Sequence, residues 1–260
     1  CIRDRSTPIR QIENDPHFAV IDEAHDYIVV DKPAPLLVHP SVPGNPPTLL
    51  DGLQGLLAYE IANGATLSII NRLDRETSGL VLVTKNSASA RRFSTAMQER
   101  RVKKEYLTLV HGWPEADAFT IDQSILRKGE VTGSPIWVKQ MIHPDGSPSL
   151  THFEVEARFE GVGGRRFARL RARPVTGRLH QIRVHLAHAG HPVVGDKIYG
   201  ADETCYLDFI ETGWTEDLHR RLLMRRHALH STSLRFDFAD GDAKQWEAPH
   251  PASWDSFCGR

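Results

Sequence analysis

The sequence predicts an α+β domain with a mostly antiparallel, mixed central sheet and flanking helices. Candidate strands outnumber candidate helices, and the two kinds do not alternate as in a parallel α/β sheet. In addition, "FEVEARFE" and "RFARLRARP" alternate strictly on either side of "GVGG", which reads as an antiparallel hairpin.

The elements follow in order. Residues 1–20 lack periodicity and read as an N-terminal extension, leaving 21–260 as one domain. "YIVVDKP" (27–33) is a short buried strand stopped by proline. "PAPLLVHPSVPGNPP" is too proline-rich for a helix and reads as a loop. "TLLDGLQGLLAYE" has apolar residues at helical spacing with Thr48 as N-cap, weakened by Gly52 and Gly55. "LSII" and "GLVLVT" are strands, and "NSASARRFSTAMQER" is a helix capped by Asn86 or Ser87. "KKEYLTLVHG" is a strand with Tyr106, Thr108 and Val110 on one face. "GRLHQIRVHLAHAG" (177–190) reads as a helix whose apolar stripe is Leu179, Ile182 and Leu186, capped by Thr176 and ended by Gly190. "ALHSTSLRFDF" is a closing strand.

Composition narrows the classes. No apolar run approaches the roughly 18 residues of a membrane span. The start, "CIRDRSTPIR", is polar and basic rather than a signal peptide, and its first residue is not Met. Cys1, Cys205 and Cys258 stand far apart, which argues against a disulfide framework or a cysteine zinc site and for a reducing, cytoplasmic setting. Net charge is −1, yet no acid occurs from Gly161 to Gly195, where seven arginines and four histidines lie. Further clusters are Arg91 to Lys104 and Arg220 to Arg226. Such separation suits a polyanion-binding face or, equally, solvated faces paired with acids elsewhere.

The chemistry candidate lies in "NRLDRETSGLVLVTKN" (71–86). Asp74 stands between Arg72 and Arg75, after one strand and before a turn leading into another. A carboxylate beside arginine stays ionised and serves as nucleophile or base. The same residues also describe a surface ion pair of little consequence, and both readings stand. His180, His185, His188 and His191 match no zinc signature, so no metal is assigned. "GVGG" joins two strands and is no phosphate loop.

Five ordered stretches carry a resemblance. "NRLDRETSGL" is similar to the HRLD-x-x-TSG-L motif of the RluA-type RNA pseudouridine synthases. "VVDKPAPLLVHP" resembles the K-P-x-G-x-x-V-H-P motif of that family, and "KKEYLTLVHG" its K-x-Y strand. "RPVTGRLHQIRVHLAHAGHPVVGDKIYG" and "RHALHSTSLRF" resemble its two later motifs. Asn71 and Pro35 depart from the usual histidine and glycine. The first twenty residues leave no room for the S4-like module that some relatives carry.

The resemblance implies the pseudouridine synthase fold and cofactor-free isomerisation of uridine in structured RNA. Large-subunit rRNA is the first expectation and tRNA the second. It makes Asp74 the catalytic carboxylate, Tyr106 the catalytic residue that stacks on the target base or serves as acid or base, and Arg183 the catalytic partner of Asp74. It places Arg72 in the vacated base stack, and has Thr77, Ser78 and Gly79 shape the turn. Arg75, Lys32, His39 and Lys104 are expected RNA contacts, as are Arg165, Arg166, Arg178 and His180. A monomer is expected, with no membrane. Two rivals remain: a catalytically weak RNA-binding protein on this scaffold, and a metal hydrolase using the histidine cluster.

Overall fold

One ten-stranded sheet organises the chain in this computed structural model, which describes residues 17–40 and 46–258. β1 (Ala19–Glu23) pairs antiparallel with β2 (Tyr27–Lys32). Ala19 and Val20 therefore belong to the sheet, slightly before the boundary expected from sequence; residues 1–16 of the expected extension lie outside the described residues. The proline-rich loop follows, with a cis Ala34–Pro35 bond. α1 (Leu49–Leu56) starts in a reciprocal capping box: Thr48 Oγ1 accepts from Asp51 N–H, and Asp51 Oδ2 accepts from Thr48 N–H. The predicted long helix breaks at Leu57 and resumes as α2 (Ala58–Ala62).

β3 (Ser68–Ile69) and β4 (Ser78–Thr84) come next, then α3 (Ser87–Gln98), capped by Asn86, and β5 (Val102–His111). β6 (Ala118–Asp122) is an edge strand, and β7 (Ile125–Arg127) with β8 (Gln140–Ile142) forms a separate ribbon. β9 (Leu150–Glu160) and β10 (Arg166–Pro174) are the expected hairpin.

α4 (Gln181–His188) is shorter than its sequence pattern. His180 takes a left-handed conformation (φ 57°), which stops the helix from extending backwards. Leu179 is consequently 47% exposed rather than part of the buried stripe. Thr176 does not cap the helix; its hydroxyl accepts from Leu150 N–H and donates to Gln181 Oε1. The other end is as expected: Gly190 sits at φ 81°, and His191 N–H and Gly190 N–H close back on Leu186 O and Ala187 O.

α5 (Thr204–Thr212) and α6 (Glu216–Leu222) pack as a small helical pair. They lead into β11 (Leu229–Asp237), β12 (Ala243–Glu247) and α7 (Ser253–Phe257). The strand order is β1-β2-β4-β11-β5-β10-β9-β6, with β3 and β12 on side branches. The strand expected to close the sheet thus inserts at its centre. β11 pairs parallel with β4 and antiparallel with β5, which makes the sheet mixed.

Period-two alternation explains why β2 and β4 are buried on both faces. Ile28, Val30, Val81 and Val83 point to Leu49 and Leu53 of α1. Tyr27, Val29, Leu80 and Leu82 point to Phe93 of α3 and Trp246 of β12. A third cluster packs Leu109, Phe167 and Leu170 beneath Ile182 and Leu186 of α4 and Trp254 of α7. The end of this layer where β4, β11 and α4 meet carries the polar groups of the site.

Candidate active site

The segment 71–79 is a turn pinned at several points. Asn71 is buried and spans the edge of β4: its Nδ2 donates to Leu80 O (2.9 Å) and its Oδ1 accepts from Leu82 N–H (2.8 Å). An amide thereby does the work of a short strand segment at the position where the family motif has histidine. Thr77 N–H closes the turn on Asp74 O, and Thr77 Oγ1 meets His227 Nε2 at 2.7 Å. Ser78 Oγ meets His230 Nδ1 at 2.9 Å. Gly79 adopts φ 112° where β4 runs against β11; a Cβ there would lie 2.2 Å from Ser231 O. These contacts fix the backbone at Thr77, Ser78 and Gly79.

The turn presents Asp74 at the lip of the sheet, with its side chain 22% exposed. Arg183 Nη1 donates to Asp74 Oδ2 (2.9 Å). The fork of Arg183 goes elsewhere, however. Nε and Nη2 bond both oxygens of Asp196 at 2.7 and 2.8 Å. Arg183 thus meets Asp74 through a single bond, and Asp196 takes the two parallel ones. Asp196 is fully buried and also accepts from Ile198 and Tyr199 N–H. Desolvation alone would raise its pKa, but Arg183 and these donors hold it well below the ordinary carboxylate range. Arg183 is in turn pushed up: burial opposes its charge, and Asp196 and Asp74 outweigh that.

Burial also works against the charge on Asp74. His180, Arg183 and His227 more than offset it and leave the carboxyl below its usual range. Desolvation lowers both histidines, His180 to about 4 and His227 well below 6.5, so both are neutral at pH 7. Arg183 is therefore the neighbouring cation that acts on Asp74 at that pH. His180 Nδ1 lies 2.8 Å from Tyr199 Oη, which already accepts from Gln140 N–H. The hydroxyl proton is thus assigned to His180 Nδ1, and the imidazole N–H falls on Nε2, 3.9 Å from Asp74 Oδ2.

Tyr106 lies on β5, paired with Ser231 of β11. Burial pushes its phenol up to about 12; Ser231 opposes this and the Asp74 charge adds to it. Asp74, Arg183, His180 and Tyr106 therefore share one neighbourhood.

The other expected contacts divide. Arg72, Arg75 and Arg178 are exposed, with no carboxylate in ion-pair range among the described residues. Lys32 is a correction. It is fully buried and donates to Pro33 O, Leu36 O and Arg75 O, so it ties the turn from below and presents nothing to phosphate. Desolvation lowers it to about 7, with Asp74 acting in the opposite sense. His180 likewise faces Asp74 and Tyr199 instead of the surface. His39 is half-buried against Pro40 O, and burial lowers the pKa of Lys104. Arg165 and Arg166 are exposed, but Arg166 lies six residues along β10 from Ala172, the partner of Tyr106, about 20 Å away.

Three arginines of the acid-free run are neutralised across strands. Arg169 pairs with Glu156, Arg171 with Glu105 and Glu156, and Arg173 with Glu105 and Glu154. The acids come from β9 and β5, which a scan of residues 161–195 cannot see. The histidines of the rival metal reading lie apart: His185 meets Thr151 Oγ1 and Gln123 O, His191 meets His111 O, and His188 is exposed.

A mixed sheet with a turn-borne carboxylate held by a buried arginine defines a class, and comparison with known proteins identifies it. Residues 26–188 match the model of the RNA pseudouridylate synthase family. The "Ribosomal large subunit pseudouridine synthase D" of Haemophilus ducreyi is 34% identical over 253 residues, covering 90% of this chain and 68% of that protein. The protein of the same name from Escherichia coli K12 is 36% identical over 241 residues, covering 89% and 67%. Among solved structures, "Human RNA Pseudouridylate Synthase Domain Containing 1" superposes with a TM-score of 0.70 at 26% identity, over 91% of this chain and 85% of that one. The chain belongs to the RNA pseudouridylate synthase family, as an RluA-type member, and is an RNA-modifying isomerase.

Proposed function

We propose that this chain converts uridine to pseudouridine in large-subunit ribosomal RNA, with Asp74 as the carboxylate that acts on the target nucleotide. The RNA assignment rests on the two curated relatives, which are large-subunit ribosomal enzymes by name. The observation that carries the catalytic assignment is the setting of Asp74: a partly open carboxylate at a strand-to-turn lip, kept ionised by Arg183.

The reaction breaks the N1–C1′ bond of the target and forms a C5–C1′ bond. C5 loses a proton and N1 gains one, so the atoms balance without a cofactor or oxidant. The target nucleotide must leave its stack to reach Asp74. Arg183 fixes the carboxylate rotamer through Oδ2, and among the described residues no donor bonds Oδ1, which is left to face the nucleotide. Tyr106 offers a ring face and a phenol that keeps its proton at neutral pH. The neutral His180 offers Nε2–H beside Asp74. Arg72, exposed two residues before Asp74, is the planar cation for the vacated stack, and Arg75 and Arg178 contact phosphates. All these groups come from one chain, so we assign the reaction to a monomer and to the single domain that begins with β1 at Ala19.

Mapping pseudouridine across ribosomal and transfer RNA, from cells with and without this protein, tests the reading. The expected result is loss of modification at specific large-subunit uridines. Changes confined to transfer RNA, or no change at all, would overturn it.

A further inference from the structure

The ribbon β7–β8 holds an indole in solvent. Trp137 is 75% exposed, and the guanidinium of Arg127 lies over one face of its ring at 3.8 Å. The loop that carries it is well secured. Ile136 is buried beside it. Ser134 Oγ donates to Ile136 O and accepts from Ile136 N–H. Lys139 N–H closes a turn on Ile136 O, and Lys128 N–H bonds Lys139 O. Lys128 and Lys139 flank the loop and share Glu203. The indole is thus presented in a fixed place instead of trailing on a loose loop.

The ribbon is also joined to the site. Gln140 N–H donates to Tyr199 Oη, Tyr199 Oη meets His180 Nδ1, and His180 Nε2 faces Asp74. Trp137 is three residues from Gln140, within about 11 Å of it by chain reach. Summed along these links, the ring lies no more than about 30 Å from Asp74, within reach of a few nucleotides of single strand.

A flat aromatic face backed by a guanidinium, which Glu130 also holds, matches the chemistry of a stacking nucleobase, while Lys128 and Lys139 are held by Glu203. We propose that Trp137, backed by Arg127, is a stacking platform for an unpaired base of the RNA substrate a few nucleotides from the target. This deepens the reading given above and rests on it. Stacking needs an exposed base face, so a base inside a duplex does not fill the platform.

The test measures binding of the full chain to single-stranded oligouridylate, to an abasic ribose-phosphate oligomer of the same length, and to duplex RNA. Parent, Trp137→Ala and Trp137→Phe are compared. Replacing an exposed ring leaves the fold in place, which circular dichroism checks. Trp137→Ala should bind oligouridylate about tenfold more weakly than the parent, and Trp137→Phe should recover most of this. The abasic oligomer and the duplex should bind parent and Trp137→Ala equally. Equal oligouridylate affinity for parent and Trp137→Ala would overturn the platform and leave the indole to another kind of partner, such as a protein. An equal loss on the abasic oligomer would overturn it too. Binding does not require turnover, so failure here is distinct from failure of the pseudouridine mapping.

Discussion

Arg169, Arg171 and Arg173 of β10 face Glu154 and Glu156 of β9 and Glu105 of β5, whereas Arg183 of α4 faces Asp196 and Asp74 at the lip of β4. The chemical groups are the same, but the settings are not. The ladder lies on partly open strands, where each ion pair contributes about 0–1 kcal/mol. At the lip, Arg183 and Asp196 are sealed from water. Such a pair offers little net gain over an apolar core, yet losing one partner costs about 3–5 kcal/mol. In the ladder every carboxylate meets arginine. At the lip one guanidinium serves two carboxylates, giving its fork to Asp196 and a single bond to Asp74. Asp196 is structural by this division, and Asp74 is left held but not saturated.

Removing an arginine from each region should separate them most. Arg183→Ala should abolish nearly all pseudouridine formation and cost about 3–5 kcal/mol in urea unfolding. Arg183→Lys keeps a charge but loses the fork, so it should retain part of the activity. Arg171→Ala, which loses two such pairs, should cost no more than about 2 kcal/mol and leave the rate within about twofold. Equal costs at both places would collapse the distinction.

Double-mutant cycles sharpen the same contrast at smaller scale. Asp74→Ala with Arg183→Ala should be less destabilising than the two changes summed, with a coupling of about 1–3 kcal/mol. Arg171→Ala with Glu105→Ala should couple by no more than about 1 kcal/mol. Strict additivity for the first pair would mean that Arg183 does not hold Asp74.

Acid should reach the two regions at different pH. His180 and His230, both lowered to about 4 by burial, and His227, also held well below its usual range by burial, are neutral in the fold. The unfolded chain binds protons on them below about 6.5, so stability falls as pH drops from there toward 4, by about 1.4 kcal/mol per unit for each group. The lowered pKa of Glu105 works on a lower range: burial opposes its charge, but Arg173 and Arg171 outweigh that. Its stabilisation is present above about 4.3 and is lost only as pH falls through its folded pKa. Urea titrations between pH 7 and 5 should therefore show the histidine loss while the ladder is still intact.

The smallest effect concerns salt. Arg75→Ala and Arg178→Ala should each reduce the slope of log affinity against log salt by about 0.7 for single-stranded RNA. Arg171→Ala should leave the slope unchanged, since its charge is already paired across strands.

These contrasts also show which features a sequence exposes. The capping residues Thr48 and Asn86, the hairpin around "GVGG" and the strand "YIVVDKP" are local, and each was legible. Asp74, Arg72 and the turn residues stood out because chemistry and spacing coincide within a few positions. What was hidden is non-local. The central place of β11 depends on a parallel pairing between residues 78 and 230. The ladder needs acids from two other strands. Lys32 reads as a surface cation until the three carbonyls that enclose it are seen. Asp196, Tyr199 and His227 sit in recognisable motifs, but only folding aims them beneath Asp74.

The central claim is that the lip holds Asp74 so that it can act, and it is tested most directly by Asp74→Asn. The amide is nearly isosteric but is a poor nucleophile and base. The measurement is single-turnover pseudouridine formation on large-subunit RNA, with RNA affinity and urea stability taken on the same protein. The rate should fall by at least about a thousandfold while affinity stays within a few-fold. A rate within about tenfold of the parent, on a variant that still folds and binds, would remove Asp74 from the chemistry.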